Sequence, residues 1–488
     1  MRPLDSFGDV AAEDDAVLDY FVATDATKAI QAGRVILVLG RKGSGKTALV
    51  RHFSEGEHKS ITRALSLKGY PWNIHASRID RGASDIEAYV SSWRYLLSLQ
   101  FALLAYRCAG EPQEGRGKSL ARFLTDNYGG IAPSLGDLLK PPSIRFSAAS
   151  IEPTVLGCKL GGISFDRGEK DLGLGSELNA LSDVLLETAE AIAKASGRTV
   201  LHLQIDELDQ GLSQMDSHRE RMITGLILAT RDLQRQMKGK PVAFRPVVYL
   251  RTDLWDEISF SDKNKISETS ALMLDWNSES LRELINERIR AKLVADASWD
   301  TISTDGLMRG SQSKWNHILS RTFMRPRDVI RFLNAALSEA RRDAKRRTLD
   351  PLLLDNLDVT NARGTYSSYL KSELDDEILA HWPRWEEALQ ACSALSTITF
   401  RRDEFAREYE KRKTMYNSLS SDKALATLYD YSIIGYERRS GYGGQSWVFR
   451  YTNPEAGWDN AATVFKVHLG LKEYAKLREE RASAEEEA

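Results

Sequence analysis

Along the chain, short runs of consecutive apolar residues alternate with longer stretches in which apolar positions recur every three or four residues. Val35-Ile36-Leu37-Val38-Leu39 is of the first kind; short and rich in β-branched residues, it predicts a strand covered on both faces. Leu201, Leu203 and Ile205 in "TVLHLQIDELDQ" predict a second buried strand ending at Asp206-Glu207. His202 and Gln204 interrupt it, whereas a strand buried on both faces reads apolar throughout. Val247 to Leu250 predict a third strand, entered through Pro246 and followed by polar Arg251-Thr252-Asp253. "PWNIHASRI" reads as a further strand. Helical spacing appears at Ile86, Tyr89, Val90, Trp93, Leu96 and Leu97, behind a capping box of Ser84 and Glu87. It recurs from about Glu177 to Ser196, and after Pro326 at Val329, Ile330, Leu333, Ala336, Leu337 and Ala340. Strands alternating with helices predict an α/β fold built on a parallel sheet between helical layers.

The first strand runs directly into "GRKGSGKT", Gly40 to Thr47, which meets the pattern G-x-x-x-x-G-K-[ST]. Strand, glycine loop and helix is the setting of a phosphate-binding P-loop. Glycines let successive backbone N–H groups curl around phosphate, and the helix that follows points its positive end at it. The expected nucleotide contacts are Gly40, Gly43, Ser44, Gly45, Lys46, Thr47 and Ala48. Lys46 would reach the β- and γ-phosphates of ATP, and the Thr47 hydroxyl would hold Mg2+. Asp206 is placed to hold the same ion through its water shell, and Glu207 to orient and deprotonate an attacking water. An adjacent Asp-Glu pair therefore favours hydrolysis over transfer to a second substrate. His202 reads as a hydrogen-bonded core histidine, and Asp209 as solvated or capping.

In a parallel sheet the carboxyl ends of the strands face the ligand. Arg251 or Thr252 could then touch the γ-phosphate; equally, Arg251 could pair with a neighbouring acid. Arg325, Arg327 and Arg331 lie near the start of the helix opened by Pro326, where positive charge opposes the helix dipole. Bound phosphate is a candidate anion for them, with Arg327 the sensor; the alternative is a salt bridge to Asp328 or Glu287.

At 488 residues the chain is too long for one core. The formal charge of −2 gives no overall pull toward nucleic acid or membrane. Asp5, Asp9, Glu13, Asp14 and Asp15 argue against a secretory signal, and no apolar run approaches the roughly 18 residues of a membrane helix. Cys108, Cys158 and Cys392 are far apart, without the spacing of a zinc module or disulfide framework. The expectation is a cytoplasmic protein. The acidic segment 1–27 precedes a core at 28–270, in which about 160 residues separate P-loop and acid pair, well beyond a minimal crossover. Residues 84–176 supply the excess, with a Gly/Pro-rich stretch from Tyr128 to Ser176 holding hairpin-like "TVLGCKLGGISF". A helical lid is expected at 271–375, where "ARRDAKRR" marks a charged helix end, and a disordered acidic tail at 477–488.

Between them, 376–476 predicts three helices at "RWEEALQACSAL", "RRDEFAREYEKRK" and "DKALATLYDY", then a hairpin turning at Gly441-Tyr442-Gly443-Gly444. Three helices and a wing suggest a winged helix. From Asp376 to Lys476 there are 14 basic and 14 acidic side chains. The presumptive recognition helix sets Asp422 and Asp430 against Lys423, which leaves Arg438, Arg439 and Lys411-Arg412-Lys413 as the local basic clusters. DNA and a protein partner therefore stand as equal targets. A homo-oligomer is also open.

P-loop, acid pair and polar strand end resemble an AAA+ ATPase of the additional-strand class, over about residues 30–345. That resemblance implies the three-layer P-loop NTPase fold with a helical lid; AAA+ initiators also carry a winged helix. Arginine at the Arg251 position looks more like the STAND signalling ATPases and origin-recognition initiators than like unfolding motors. "AEDD", Ala12 to Asp15, is similar to a segment that precedes the P-loop in bacterial ATPases found beside phage-defence genes. The expected protein is an ATP-hydrolysing switch; the alternative is a slowly hydrolysing, nucleotide-gated scaffold.

Overall fold

The computed structural model describes residues 4–68, 86–138, 154–155, 158–159, 174–208, 216–344, 353–439 and 445–479. The strand expected at 71–79, Ser84, Asp209, the wing turn at 441–444, most of the Tyr128–Ser176 stretch and the tail from 480 lie outside them. The chain divides into two compact units, Ala23–Asp275 and Met1–Val22 with Trp276–Ala488.

The first unit is built on five parallel strands: β1 (Leu37–Gly40), β2 (Thr62–Ser66), β3 (Val200–Asp206), β4 (Ala243–Arg251) and β5 (Ala271–Met273). Their order is β2-β3-β4-β1-β5. β4 thus lies between the P-loop strand β1 and the acid-pair strand β3, which is the additional strand that names this class of P-loop NTPase fold. Leu37, Val38, Leu39 and Gly40 are buried, as are Leu201 to Asp206. Pro246 is not a strand entrance; it sits inside β4, opposite Leu203. Val248 donates its N–H to Ile36. By strand alternation the missing N–H of Pro246 faces the same side, ahead of the point where β1 begins, so no ladder bond is lost there.

Helix α1 (Lys46–Glu55) packs on β2 and β3, and α2 (Ile86–Cys108) lies between α3 (Leu174–Ala195) and α4 (Ser217–Gln236). The apolar stripe expected on α2 is too narrow a description. Every residue from Tyr95 to Tyr106 is buried, because helices cover it on more than one side. Two of its polar side chains are held within the packing: Trp93 Nε1 donates to the Met222 carbonyl at 2.9 Å, and Arg94 pairs with Asp183 at 2.6 Å. Polar residues in β3 are accommodated similarly. Tyr249 OH donates to Gln204 Oε1 at 2.8 Å, both buried. The His202 ring stacks on Phe53, centroids 5.9 Å apart. Its Nδ1 has no hydrogen-bond partner among the described residues, so it is a stacked rather than a hydrogen-bonded core histidine. Burial, then the charges of Arg245 and His58, pushes it down to about 4.

In the second unit the acidic N-terminal segment is a strap. Leu4 and Phe7 are buried in the unit's core, and Asn334 bonds Phe7 N at 2.7 Å and the Gly8 carbonyl at 2.9 Å. Arg288 donates to the Phe7 carbonyl at 2.7 Å and pairs at 2.8 Å with Asp15, which also accepts from Tyr20 OH. Asp15, the last acid of "AEDD", is therefore a buried anchor.

Helices α5 (Ser278–Lys292), α6 (Pro326–Ala344) and α7 (Asn356–Ile378) precede α8 (Trp385–Leu395), α9 (Arg402–Arg412) and α10 (Ser421–Asp430). β6 (Thr399–Arg401), β7 (Ile434–Arg439), β8 (Gln445–Val448) and β9 (Val464–Val467) form an antiparallel sheet in the order β8-β7-β9-β6. This is a winged-helix-like arrangement of three helices and a β-wing. The core shows no break near residue 376, because α7 serves both sides. Its Tyr366 ring meets Phe332 of α6 at 5.0 Å, while Ser367 accepts from Tyr474 N at 2.9 Å and Arg363 pairs with Glu473 at 3.3 Å.

Candidate nucleotide-binding site

β1 delivers the chain to the P-loop, and α1 begins at Lys46 directly after it. Gly43 and Gly45 adopt φ of +80° and +99°, values that L side chains rarely reach. A Cβ on Gly40 would overlap the Ser44 hydroxyl. The glycines thus meet the two demands of a tight phosphate cradle: left-handed backbone and close approach.

Lys46 Nζ donates to the carbonyls of Gly40 at 2.9 Å and Arg41 at 3.1 Å, folding its charge over the loop. Thr47 Oγ1 donates to Asp206 Oδ2 at 3.0 Å, joining α1 to the end of β3. A hydroxyl and a carboxylate at that separation are a hard-oxygen pair suited to Mg2+, which keeps most of its waters. Glu207 follows with φ +63°, a left-handed conformation that is costly for a side chain this size. Its carboxylate accepts from Ser66 Oγ. Ser66 ends β2, in register with Asp206. Nothing in the sequence marked Ser66 or strand β2: "TRALS" has no strong periodicity, and only pairing along β3 places its hydroxyl beside Glu207.

Arg251 ends β4 in register with Gly40. It forms a two-point pair with Asp253, Nε to Oδ1 at 3.0 Å and Nη2 to Oδ2 at 2.5 Å, so its guanidinium does meet a neighbouring acid. Burial pushes Asp253 up, but Arg251, with a smaller pull from Lys46, brings it below the usual carboxylate range. Thr252 opens the following short helix.

Arg327 lies in the second unit, with neither expected partner. Asp328 is taken by Arg325 at 2.8 Å, and Glu287 by Arg290. Arg327 instead pairs with Glu373 at 3.2 Å and donates to the Val10 carbonyl at 3.2 Å. Arg325 also reaches Glu377 at 3.3 Å, and Arg331 lies over the Tyr369 ring. Acids and an aromatic ring of α7 therefore face the cations at the start of α6.

Sheet order, glycine loop and terminal acid pair define a P-loop NTPase fold of the additional-strand class. The model of the FunZ-associated C-terminal helical domain matches residues 279–375, in the second unit. Among solved structures the chain is similar to the Aeropyrum pernix Orc1 protein in complex with DNA, at 11% identity and TM-score 0.35, over 92% of this chain and 90% of that one. It is also similar to Cdc6p from Pyrobaculum aerophilum, at 12% identity and TM-score 0.25, over 90% and 86%. No curated protein matches the chain.

Proposed function

We propose that this protein is an ATP-binding and ATP-hydrolysing switch. The observation that carries the reading is the convergence at one sheet end of Lys46, Thr47, Asp206 and Glu207, with Thr47 Oγ1 3.0 Å from the Asp206 carboxylate. Lys46 would exchange the Gly40 and Arg41 carbonyls for β- and γ-phosphate oxygens. Thr47 and Asp206 would hold Mg2+, which when bound neutralises charge on those phosphates. Glu207 would take the proton of the attacking water, its carboxylate positioned by Ser66. Arg251 would act on the γ-phosphate only by leaving Asp253, and Arg327 only by leaving Glu373. Phosphate release by wild type, Lys46→Ala and Glu207→Gln protein tests the core of this. ATP bound but not hydrolysed by wild type would favour the nucleotide-gated scaffold.

The switch would report through the winged-helix-like region, to DNA or to a protein. A specific observation favours a protein. Met415 and Tyr416, between α9 and α10, are 90% and 74% exposed. The basic groups there are partly compensated: Lys411 and Arg412 share the Glu408 carboxylate, at 2.6 and 2.5 Å. A signalling or anti-phage role rests on the sequence resemblance alone, and plaque assays in a host carrying Lys46→Ala or wild-type protein would test it.

A further inference from the structure

The nucleotide end of the sheet is the exit end of its strands; a second feature lies at the entry end. There a cleft of about 380 Å³ is lined by Lys59, Thr62, Arg63, Arg107, Cys108 and Arg198, with no acidic side chain in its lining. Thr62 opens β2 and Ser66 closes it, which places the cleft roughly 13 Å or more from the Glu207 side of the sheet. Arg198 precedes β3 by two residues, and Arg107 and Cys108 end α2.

Four cations around one cleft repel one another, and proteins normally intersperse carboxylates to offset this. Here none of the four has an ion-pair partner among the described residues. Arg63 Nη1, Arg198 Nε and Thr62 Oγ1 are buried donors without an acceptor there. Burial, then the Arg107 charge, pushes Arg63 down to about 10. Three such donors among the residues that line one carboxylate-free cleft form a set that an oxyanion would satisfy. Guanidinium groups match tetrahedral oxyanions through paired N–H bonds, and the volume suits a small ligand or one terminal group of a larger one.

We propose that this cleft is an anion site, separate from the P-loop, that takes a phosphoryl group. The group could be carried by a small molecule or by a nucleic-acid backbone; the recognising chemistry is the same. Cys108 provides a local reporter. Its Sγ is half-buried and donates to the Ser60 carbonyl at 2.8 Å. Burial raises its pKa while the Arg198 charge lowers it. A bound anion would both shield the thiol and cancel the Arg198 effect, slowing alkylation.

The test is iodoacetamide labelling of the full chain, read at the Cys108 peptide by mass spectrometry, with inorganic pyrophosphate or a six-nucleotide single strand added at low salt. Because the readout is at Cys108, it does not depend on whether the P-loop binds nucleotide. Pyrophosphate should slow labelling at least threefold, and Arg107→Ala and Arg198→Gln should each raise the concentration needed about tenfold, with unchanged melting temperature. If the oligonucleotide protects at lower concentration than pyrophosphate, the backbone is the source of the phosphoryl group; if pyrophosphate alone protects, a small molecule is. Failure of both probes to slow labelling would overturn the proposal. So would protection that is unaffected in the Arg107→Ala/Arg198→Gln double variant.

Discussion

Glu207 holds φ +63° while its carboxylate accepts from Ser66, so backbone cost and chemistry meet in one residue. A non-glycine side chain in the left-handed region costs about 1–2 kcal/mol. Glycine removes that cost but carries about 0.5–1 kcal/mol of extra chain entropy in the unfolded state. Ser66 is exposed, so water takes the place of the carboxylate it loses, and Glu207→Gly should stabilise the Ala23–Asp275 unit by a net of about 0.7 kcal/mol. For a unit of this size that is a rise in melting temperature of about 2 °C, read by calorimetry as the transition of that unit. Hydrolysis should fall by about 10²–10⁴, the usual contribution of a general base. Glu207→Gln, which keeps the strain and much of the shape, should lose hydrolysis to the same degree without the stability gain. Ser66→Ala frees the carboxylate from one positioning bond and should lower kcat about tenfold, or about 1.4 kcal/mol of barrier, with KM nearly unchanged. Ser66→Thr should restore it, as expected of a positioning residue. A Glu207→Gly protein that melts lower than wild type, or one that hydrolyses ATP at the wild-type rate, would refute the reasoning.

Further outcomes follow from other parts of the molecule. Lys46→Ala should weaken ATP binding by about a hundredfold or more, measured by calorimetry, because a charge-assisted phosphate contact is lost. Arg251→Ala or Arg327→Ala should lower the ATP/ADP affinity ratio about tenfold if either guanidinium reaches the γ-phosphate; unchanged ratios in both would return them to their pairs with Asp253 and Glu373. His202 titrates near 4 in the folded state and near 6.5 unfolded, so stability present above pH 6.5 should be lost as pH falls toward 4, by up to about 3 kcal/mol. His202→Phe should flatten that slope in acid melts of the Ala23–Asp275 unit, and an unchanged slope would assign it to other groups. Arg438→Glu with Arg439→Glu should abolish any DNA binding while leaving basal ATPase activity intact, and wild-type titrations should show a salt slope of only about two to four charges. No binding at low salt, with ATP or ADP, would remove DNA as the partner.

The glycine loop was legible in sequence because its spacing follows from backbone geometry that no other residue type satisfies: Gly43 and Gly45 need positive φ, and Gly40 needs room beside Ser44. Asp206-Glu207 was legible because an apolar strand pointed at it. Ser66 was not, since its role arises from register: it lies 141 positions from Glu207 and reaches it only through β2–β3 pairing. The burial of α2 was likewise hidden. Ser91, Ser92, Ser98 and Gln100 are all buried there, and a sequence pattern cannot distinguish a polar face turned to solvent from one turned to neighbouring helices.

Charge shows the same limit most plainly. In sequence, Arg325, Arg327 and Arg331 crowd a helix start, and Asp422 and Asp430 stand against Lys423 on the presumptive recognition helix. In the structure Asp422 pairs with Arg402 at 3.2 Å and Asp430 with Arg450 at 2.7 Å, so the repulsion that these acids would offer a phosphate backbone is already reduced. Those two arginines are correspondingly less available to bind it. The opposite case is Arg325: burial lowers its pKa, yet Asp328 and Glu377 reverse this and hold it above its ordinary value. Where a cation has such partners, an anionic ligand must displace them and leave carboxylates exposed to each other, which costs more than it gains unless the ligand carries more charge. The four cations of the cleft beside Cys108 face no such competition among the described residues. An incoming phosphoryl group there would meet, at Arg63 Nη1, Arg198 Nε and Thr62 Oγ1, donors already removed from water by folding, and it would displace no carboxylate among the described residues, unlike at the start of α6.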